Sequence, residues 1–147
     1  MKLKQISVPM ENSHNRLHEL LRELGDKGLY PRALTLADTG NLGELRILVS
    51  DTAKARQLLM QKGIPGRVED VVAVQLADKP NQLADLLLRL TANDITVNYG
   101  YALAGMNSAN TVMIFHFSDN DKALRILGEK EVGRMDGDDL QHWQAAC

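Results

Sequence analysis

A strand, a turn and a helix occur twice in this chain, displaced by 66 positions. The first copy runs Ile6, Val8, Met10, then Asn12 and Asn15, then Leu17, Leu20, Leu21 and Leu24. The second runs Val72, Val74, Leu76, then Asp78 and Asn81, then Leu83, Leu86, Leu87 and Leu90. Alternating apolar residues place three side chains on one face of a strand. Leucines spaced i, i+3, i+4, i+7 form the apolar stripe of a helix. Between them Asp78 to Asn81 is turn chemistry, with Pro80 fixing φ and Asn81 tolerating a left-handed backbone. A constant offset through three kinds of local structure marks an internal duplication.

The rest of the chain extends the repeat. In the first half a strand over 3–10 leads through the Asn12–Asn15 turn, with Asn12 or Ser13 as cap, to a helix over 15–27 that ends near Gly25 or Gly28. A strand over 30–37, a hairpin turn at Asp38-Thr39-Gly40-Asn41 and a strand over 45–50 follow. Asp51 or Thr52 caps a second helix whose apolar face is Ala55, Leu58 and Leu59, stopped by Gly63, Pro65 and Gly66. A short fourth strand over 67–70 passes almost directly into the second half. There the order recurs: a helix over 82–92, a strand over 95–104, a hairpin loop over 105–110 and a strand over 111–118. The loop is two residues longer than its counterpart, so the offset becomes 68 and Phe115, Phe117 and Asp119 match Ile47, Val49 and Asp51. Ala123, Ile126 and Leu127 repeat the second helix, and Gly133-Arg134-Met135 echoes Gly66-Arg67-Val68.

Each half therefore reads β-α-β-β-α-β. The expected fold class is α+β: two such units in tandem, each an antiparallel four-stranded sheet with both helices on one face and the other face open. The expected domains are 1–70 and 71–136, with a tail over 137–147 that Leu140 and Trp143 dock. Halves of this size bury little surface alone, so they are expected to pack on each other, on a second copy, or both. Aromatic residues are only 4% of the chain, which makes the cores aliphatic.

Net charge is −2, which supplies no electrostatic reason to bind nucleic acid or an anionic membrane. No apolar run approaches the roughly 18 residues of a membrane span. The start Met1-Lys2-Leu3-Lys4 lacks the apolar core of a signal peptide, and the one cysteine, Cys147, permits no internal disulfide. A cytoplasmic location is the expectation. His14 and His18 are four apart, but no third metal ligand accompanies them. Phe115 and Phe117 occupy the strand on which RNA-binding domains carry stacking aromatics, yet their counterparts are plain aliphatics and the basic context is missing; core packing is the expectation. The Asp136, Asp138, Asp139 run reads as a solvated turn. No nucleophile elbow or phosphate-binding loop is present, so no enzymatic activity and no cofactor are expected.

Asp78-Lys79-Pro80-Asn81-Gln82-Leu83 resembles the strand-to-helix motif of the ACT domain family, Asp/Asn-Lys-Pro-Gly-x-Leu. Glu11-Asn12-Ser13-His14-Asn15-Arg16-Leu17 is a weaker version. The tandem arrangement, over about residues 2–135, is similar to stand-alone double-ACT proteins. The resemblance implies a ferredoxin-like unit and allosteric regulation through a small molecule, an amino acid above all, held between two units. By the family pattern the ligand meets Asn12, Ser13, His14, Asn15, Arg16 and Leu17 in one half and Asp78, Lys79, Pro80, Asn81, Gln82 and Leu83 in the other. Backbone N–H groups at the helix start receive the carboxylate, and Asn12 or Asp78 the amino group. The start of the second strand of a neighbouring unit closes the site, through Tyr30 and Arg32 or through Asn98 and Tyr99. Both halves carry Asn at the family's glycine position, so the amide itself becomes a candidate contact. The implied partners are an amino acid, a second copy of the chain in a homodimer, and an enzyme regulated in trans. The alternative is a ligand-free interaction subunit acting through the open sheet face. An acyl-phosphate hydrolase on the same fold would need an anion loop, for which Arg16 beside Asn15 is the only material.

Overall fold

The computed structural model describes residues 2–11, 16–38, 42–77, 79–103 and 110–132. The fold is α+β, with antiparallel strand pairs in both halves. The chain divides into two compact units. One is Lys4–Glu69; the other takes the described residues from Asp70 onward together with Lys2 and Leu3.

In the first unit β1 (Lys2–Glu11) is followed by α1 (Arg16–Asp26), β2 (Pro31–Asp38), β3 (Leu42–Val49) and α2 (Thr52–Gln61). The strands lie in the order β2-β3-β1. β4 (Arg67–Ala77) leads into α3 (Gln82–Thr91), β5 (Val97–Leu103), β6 (Asn110–Phe117) and α4 (Asn120–Val132), with strand order β4-β6-β5 in the second unit.

The duplication holds residue by residue in the cores. Ile6, Val8, Met10, Leu20, Leu24 and Leu29 are buried in one cluster. Val72, Val74, Leu76, Leu86, Leu90 and Ile95, each 66 positions on, are buried in the other. Ile47, Val49, Ala55 and Leu59 answer to Phe115, Phe117, Ala123 and Leu127 in the same way at an offset of 68. Phe115 and Phe117 are thus core residues, stacked on each other at 5.3 Å.

The polar framework is duplicated too. Asp51 caps α2 by accepting the Lys54 N–H at 3.0 Å, and Asp119 accepts the Lys122 N–H at 3.0 Å at the start of α4. The ammonium groups of these same lysines donate to the Lys27 carbonyl at 2.9 Å and to the Asn93 carbonyl at 2.7 Å. Each ties the second helix of its unit to the turn that ends the first, where orphan carbonyls need donors. That turn is left-handed in both: Gly28 has φ 73° and Asp94 has φ 60°. The following N–H closes the turn, from Leu29 to the Leu24 carbonyl at 2.9 Å and from Ile95 to the Leu90 carbonyl at 3.0 Å.

Two expectations are corrected. The segment read as a separate fourth strand over 67–70 and the first strand of the second half are one continuous strand, β4. No Gly or Pro interrupts Val68-Glu69-Asp70-Val71-Val72, so nothing in the sequence bends the chain there. The described residues accordingly do not separate into two self-contained sheets of four, since β4 runs unbroken from the end of the first repeat into the second. The expected echo at 133–135, the hairpin turns and the tail over 137–147 lie outside the described residues. In neither unit is the sheet face away from that unit's own core cluster open along its length. Gln5, Ser7 and Leu48 are buried there, as are Val71, Ala73 and Ile114. Gln5 and Ser7 satisfy each other through an Nε2–H to Oγ bond of 3.1 Å, as buried polar groups must. No helix among the described residues is long and apolar enough to cross a membrane.

Candidate functional site

The turn before α3 has the predicted backbone. Asn81 is left-handed, with φ 69° and ψ −3°, at the N-cap of α3. Its carbonyl accepts the Asp85 N–H at 2.9 Å, but its side chain makes no capping hydrogen bond. A strand reversing into a helix within four residues forces this conformation, which Asn bears better than most residues. Gln82 holds the turn closed: its side-chain carbonyl accepts the Ala77 N–H at 2.9 Å. The Lys79 N–H donates to the Ala77 carbonyl at 2.8 Å. Lys79, Pro80, Asn81 and Gln82 are exposed, whereas Leu83 packs against the core. Asp78, and Asn12, Ser13, His14 and Asn15 in the first half, lie outside the described residues.

Beside each turn, between the end of the first strand and the first two turns of the first helix, is a depression. In the first unit it has a volume of about 190 Å³ and is lined by Met10, Arg16, Glu19, Leu20 and Glu23, with Val8, Pro9, Lys62 and Ile64 completing it. In the second it measures about 230 Å³ and is lined by Leu76, Gln82, Asp85, Leu86 and Arg89. All five of the latter stand 66 positions beyond the first five. Arg16 and Gln82 are among the residues expected from the family pattern; Glu19, Glu23 and Lys62, and Asp85 and Arg89, are not. The available signal was helical spacing, since i+3 and i+7 from Arg16 or Gln82 share its flank. The rim of the first depression carries both signs of charge, with Lys62 Nζ 3.7 Å from Glu23.

The starts of β2 and β5 are elsewhere. β1 ends against the beginning of β3, with Glu11 opposite Leu42, while β2 begins against the end of β3, with Pro31 opposite Val49. Seven strand steps of about 3.3 Å separate the two places, roughly 23 Å. β6 separates Ala77, opposite Asn110, from Val97, opposite Phe117, in the same way. Tyr30 and Arg32 therefore cannot reach the turn of their own unit, and neither can Asn98 and Tyr99.

Both strand starts carry a β-bulge at the same repeat position. The pairing slips between Pro31 and Ala33 and between Val97 and Tyr99, leaving Arg32 and Asn98 as the inserted residues. Bulges re-aim a side chain. The Arg32 guanidinium lies over the Tyr30 ring at 5.2 Å, and its Nε and one terminal nitrogen are buried with no hydrogen-bond acceptor. Burial lowers its pKa, with Tyr30 acting in the opposite direction. Asn98 instead bonds His116, Nδ2 to Nδ1 at 2.9 Å, and His116 stacks on Tyr99 at 5.0 Å, nearly parallel. No group of three or more metal-ligating side chains is found among the described residues, and His18 is paired with Arg22 at 3.4 Å.

Comparison with known proteins agrees with this architecture. The sequence matches the family model for the ACT domain pair over residues 1–143. The crystal structure of protein BT0572 from Bacteroides thetaiotaomicron is 31% identical, with a TM-score of 0.85 over 95% of this chain and 96% of that one. The ligand-free regulatory subunit of aspartate kinase from Thermus thermophilus shares the fold at 12% identity, with a TM-score of 0.57 over 84% of this chain and 89% of that one. Among curated proteins nothing matches.

Proposed function

The chain belongs to the ACT domain pair family, and on that premise we propose that it is a regulatory protein that captures an amino acid between ferredoxin-like ACT units. The units are the two halves, 1–70 and 71–136; the protein works as a cytoplasmic homodimer and passes the ligand signal to an enzyme in trans. The reading is supported above all by Asn81. A left-handed residue at a helix N-terminus, whose amide is not spent on capping, leaves both the backbone N–H groups of α3 and a side-chain amide for a ligand.

The neighbouring depressions suit the ligand class. Their volumes fall below the roughly 300 Å³ of a drug-sized pocket, which favours a metabolite as small as an amino acid. Arg16 with Glu19 and Glu23 in one, and Arg89 with Asp85 in the other, offer both signs of charge to a zwitterion. Capture between two units gives the ligand a differential affinity for one relative arrangement, which is what an allosteric output requires.

A thermal-shift screen of the purified chain against the twenty amino acids tests this. Ligand at 100 times its Kd stabilises by about 2.7 kcal/mol, a shift of several degrees. A selective shift lost in Asn81→Ala or Asn15→Ala supports the reading. A flat panel defeats it and leaves a ligand-free interaction subunit.

A further inference from the structure

One bond that closes the second turn cannot exist in the first. Ala77, the last residue of β4, is held at both of its backbone polar groups. Its N–H donates to the Gln82 Oε1 at 2.9 Å, and its carbonyl accepts the Lys79 N–H at 2.8 Å. The end of β4 and the start of α3 are thereby tied across the turn, with Asn81 left-handed between them at φ 69°. Only the oxygen of a side-chain amide can meet an N–H, so the Gln82 amide is committed in one orientation. The residues 66 positions earlier are Glu11, the last of β1, and Arg16, the first of α1. A guanidinium carries donors and no acceptor. Arg16 therefore cannot meet a backbone N–H, and the tie has no equivalent at its position.

We propose that Gln82 is a positioning residue for an amino acid at the Asn81 turn, a role that rests on the ligand reading above, and that the second unit is in consequence the tighter of two unequal sites. A left-handed residue with a Cβ is strained and persists only where its surroundings hold it. The Gln82 tie is such a hold, because it fixes the two ends of the segment that contains Asn81. A turn set in advance binds more tightly than one the ligand has to order. Gln82 also lines the depression beside α3. With its oxygen on Ala77, its Nε2 donors are the end of the amide left for a carboxylate. Arg16 stands at the matching place in the first depression. It attracts a carboxylate by charge but cannot act on the backbone as Gln82 does. Two unequal sites in one chain spread its response over a wider range of ligand concentration than two equal ones.

Amide hydrogen exchange of the full chain, without ligand, tests the tie. In Gln82→Ala the Ala77 amide is expected to exchange faster, by up to about tenfold. In Gln82→Glu it stays near the wild-type rate, since a carboxylate oxygen accepts the same N–H. An Ala77 amide indifferent to Gln82→Ala overturns the proposal.

Nuclear magnetic resonance titration of the isotope-labelled chain with an equimolar mixture of the twenty amino acids tests the role in binding. The amides of Asn81 and Leu83 are expected to respond at lower concentration than those of Arg16 and Leu17. Gln82→Ala raises the midpoint of the second turn by about tenfold and leaves that of the first in place, while Gln82→Glu restores it. Equal midpoints in the wild-type halves, a response confined to the first half, or a second-turn midpoint unmoved by Gln82→Ala overturns the proposal and leaves the ligand reading standing. No response in either half defeats the ligand reading and the positioning role with it.

Discussion

The two halves fill the same space with opposite choices. In the first unit the edge strand brings Leu34 opposite a side chain of equal volume, Ile47; in the second, Gly100 stands opposite Phe115. One step along, Leu36 opposite Leu45 becomes Ala102 opposite Met113. At the first pair volume has moved from the edge strand to its neighbour; at the second it is reduced on the edge strand while its neighbour keeps its size. The exchange is tight at Gly100, where an added Cβ would lie 2.6 and 2.7 Å from the Phe115 ring. An aromatic folded over a strand glycine covers backbone that would otherwise be bare. The consequence differs at the surface. The first half keeps Leu34 and Leu36 exposed at its edge, whereas the second has Gly100 and Ala102 at the matching positions. Two copies of one ancestral unit thus share a core and differ in what they offer a partner.

The sharpest way to break this comparison is to transplant one solution into the other. Gly100→Leu alone drives a side chain into the Phe115 ring and is expected to cost about 3 kcal/mol. Phe115→Ile alone opens a void and costs about 1 kcal/mol or more. Together they rebuild the first-half arrangement, so the double variant is expected to recover about 1–3 kcal/mol of the summed loss. Urea unfolding of the four proteins measures this; strictly additive losses would show that the two positions do not trade volume.

The helix caps probe the opposite claim, that the polar framework is equivalent in the two halves. Asp51→Ala and Asp119→Ala remove the same 3.0 Å bond at the same repeat position. Each is expected to lower stability by about 1 kcal/mol. A cap that matters in only one half would end the equivalence. The smallest effect is expected where the halves solve one backbone problem with different residues. Asp94→Gly relieves a left-handed aspartate and should stabilise by about 0.5 kcal/mol, while Gly28→Asp should lose a similar amount. Thermal melts of the two variants decide it, and opposite signs from those stated would mean that the Asp94 side chain contributes something that Gly28 does not.

Legibility in the sequence followed the range of the interactions. The leucine stripes, the Asp51 and Asp119 caps and the left-handed Asn81 depend on residues within a turn of one another, and a single chain displays them. The volume trade between Gly100 and Phe115 depends on strand register, as do the bulges at Arg32 and Asn98, and register appears only when strands are paired. The continuity of β4 was hidden for a different reason: the repeat boundary falls inside it, and reading by repeats imposes a break that the backbone lacks. At the candidate site the turn motif was visible because Pro80 and Asn81 are local signals. That Tyr30 and Arg32 stand at the far end of the sheet from that turn follows from β3 running between them, which no spacing along the chain conveys. Glu19 and Glu23 were overlooked because on a helix surface they resemble any solvated acids.

The bulges also keep time. An extra residue at the same step of β2 and of β5 is most simply one event inherited twice, so it predates the duplication. The change of offset from 66 to 68 between the strands after it records two residues gained or lost in one copy alone, and therefore later. The irregularity that looks like a defect in each strand is the older inheritance, and the hairpin lengths are the later divergence.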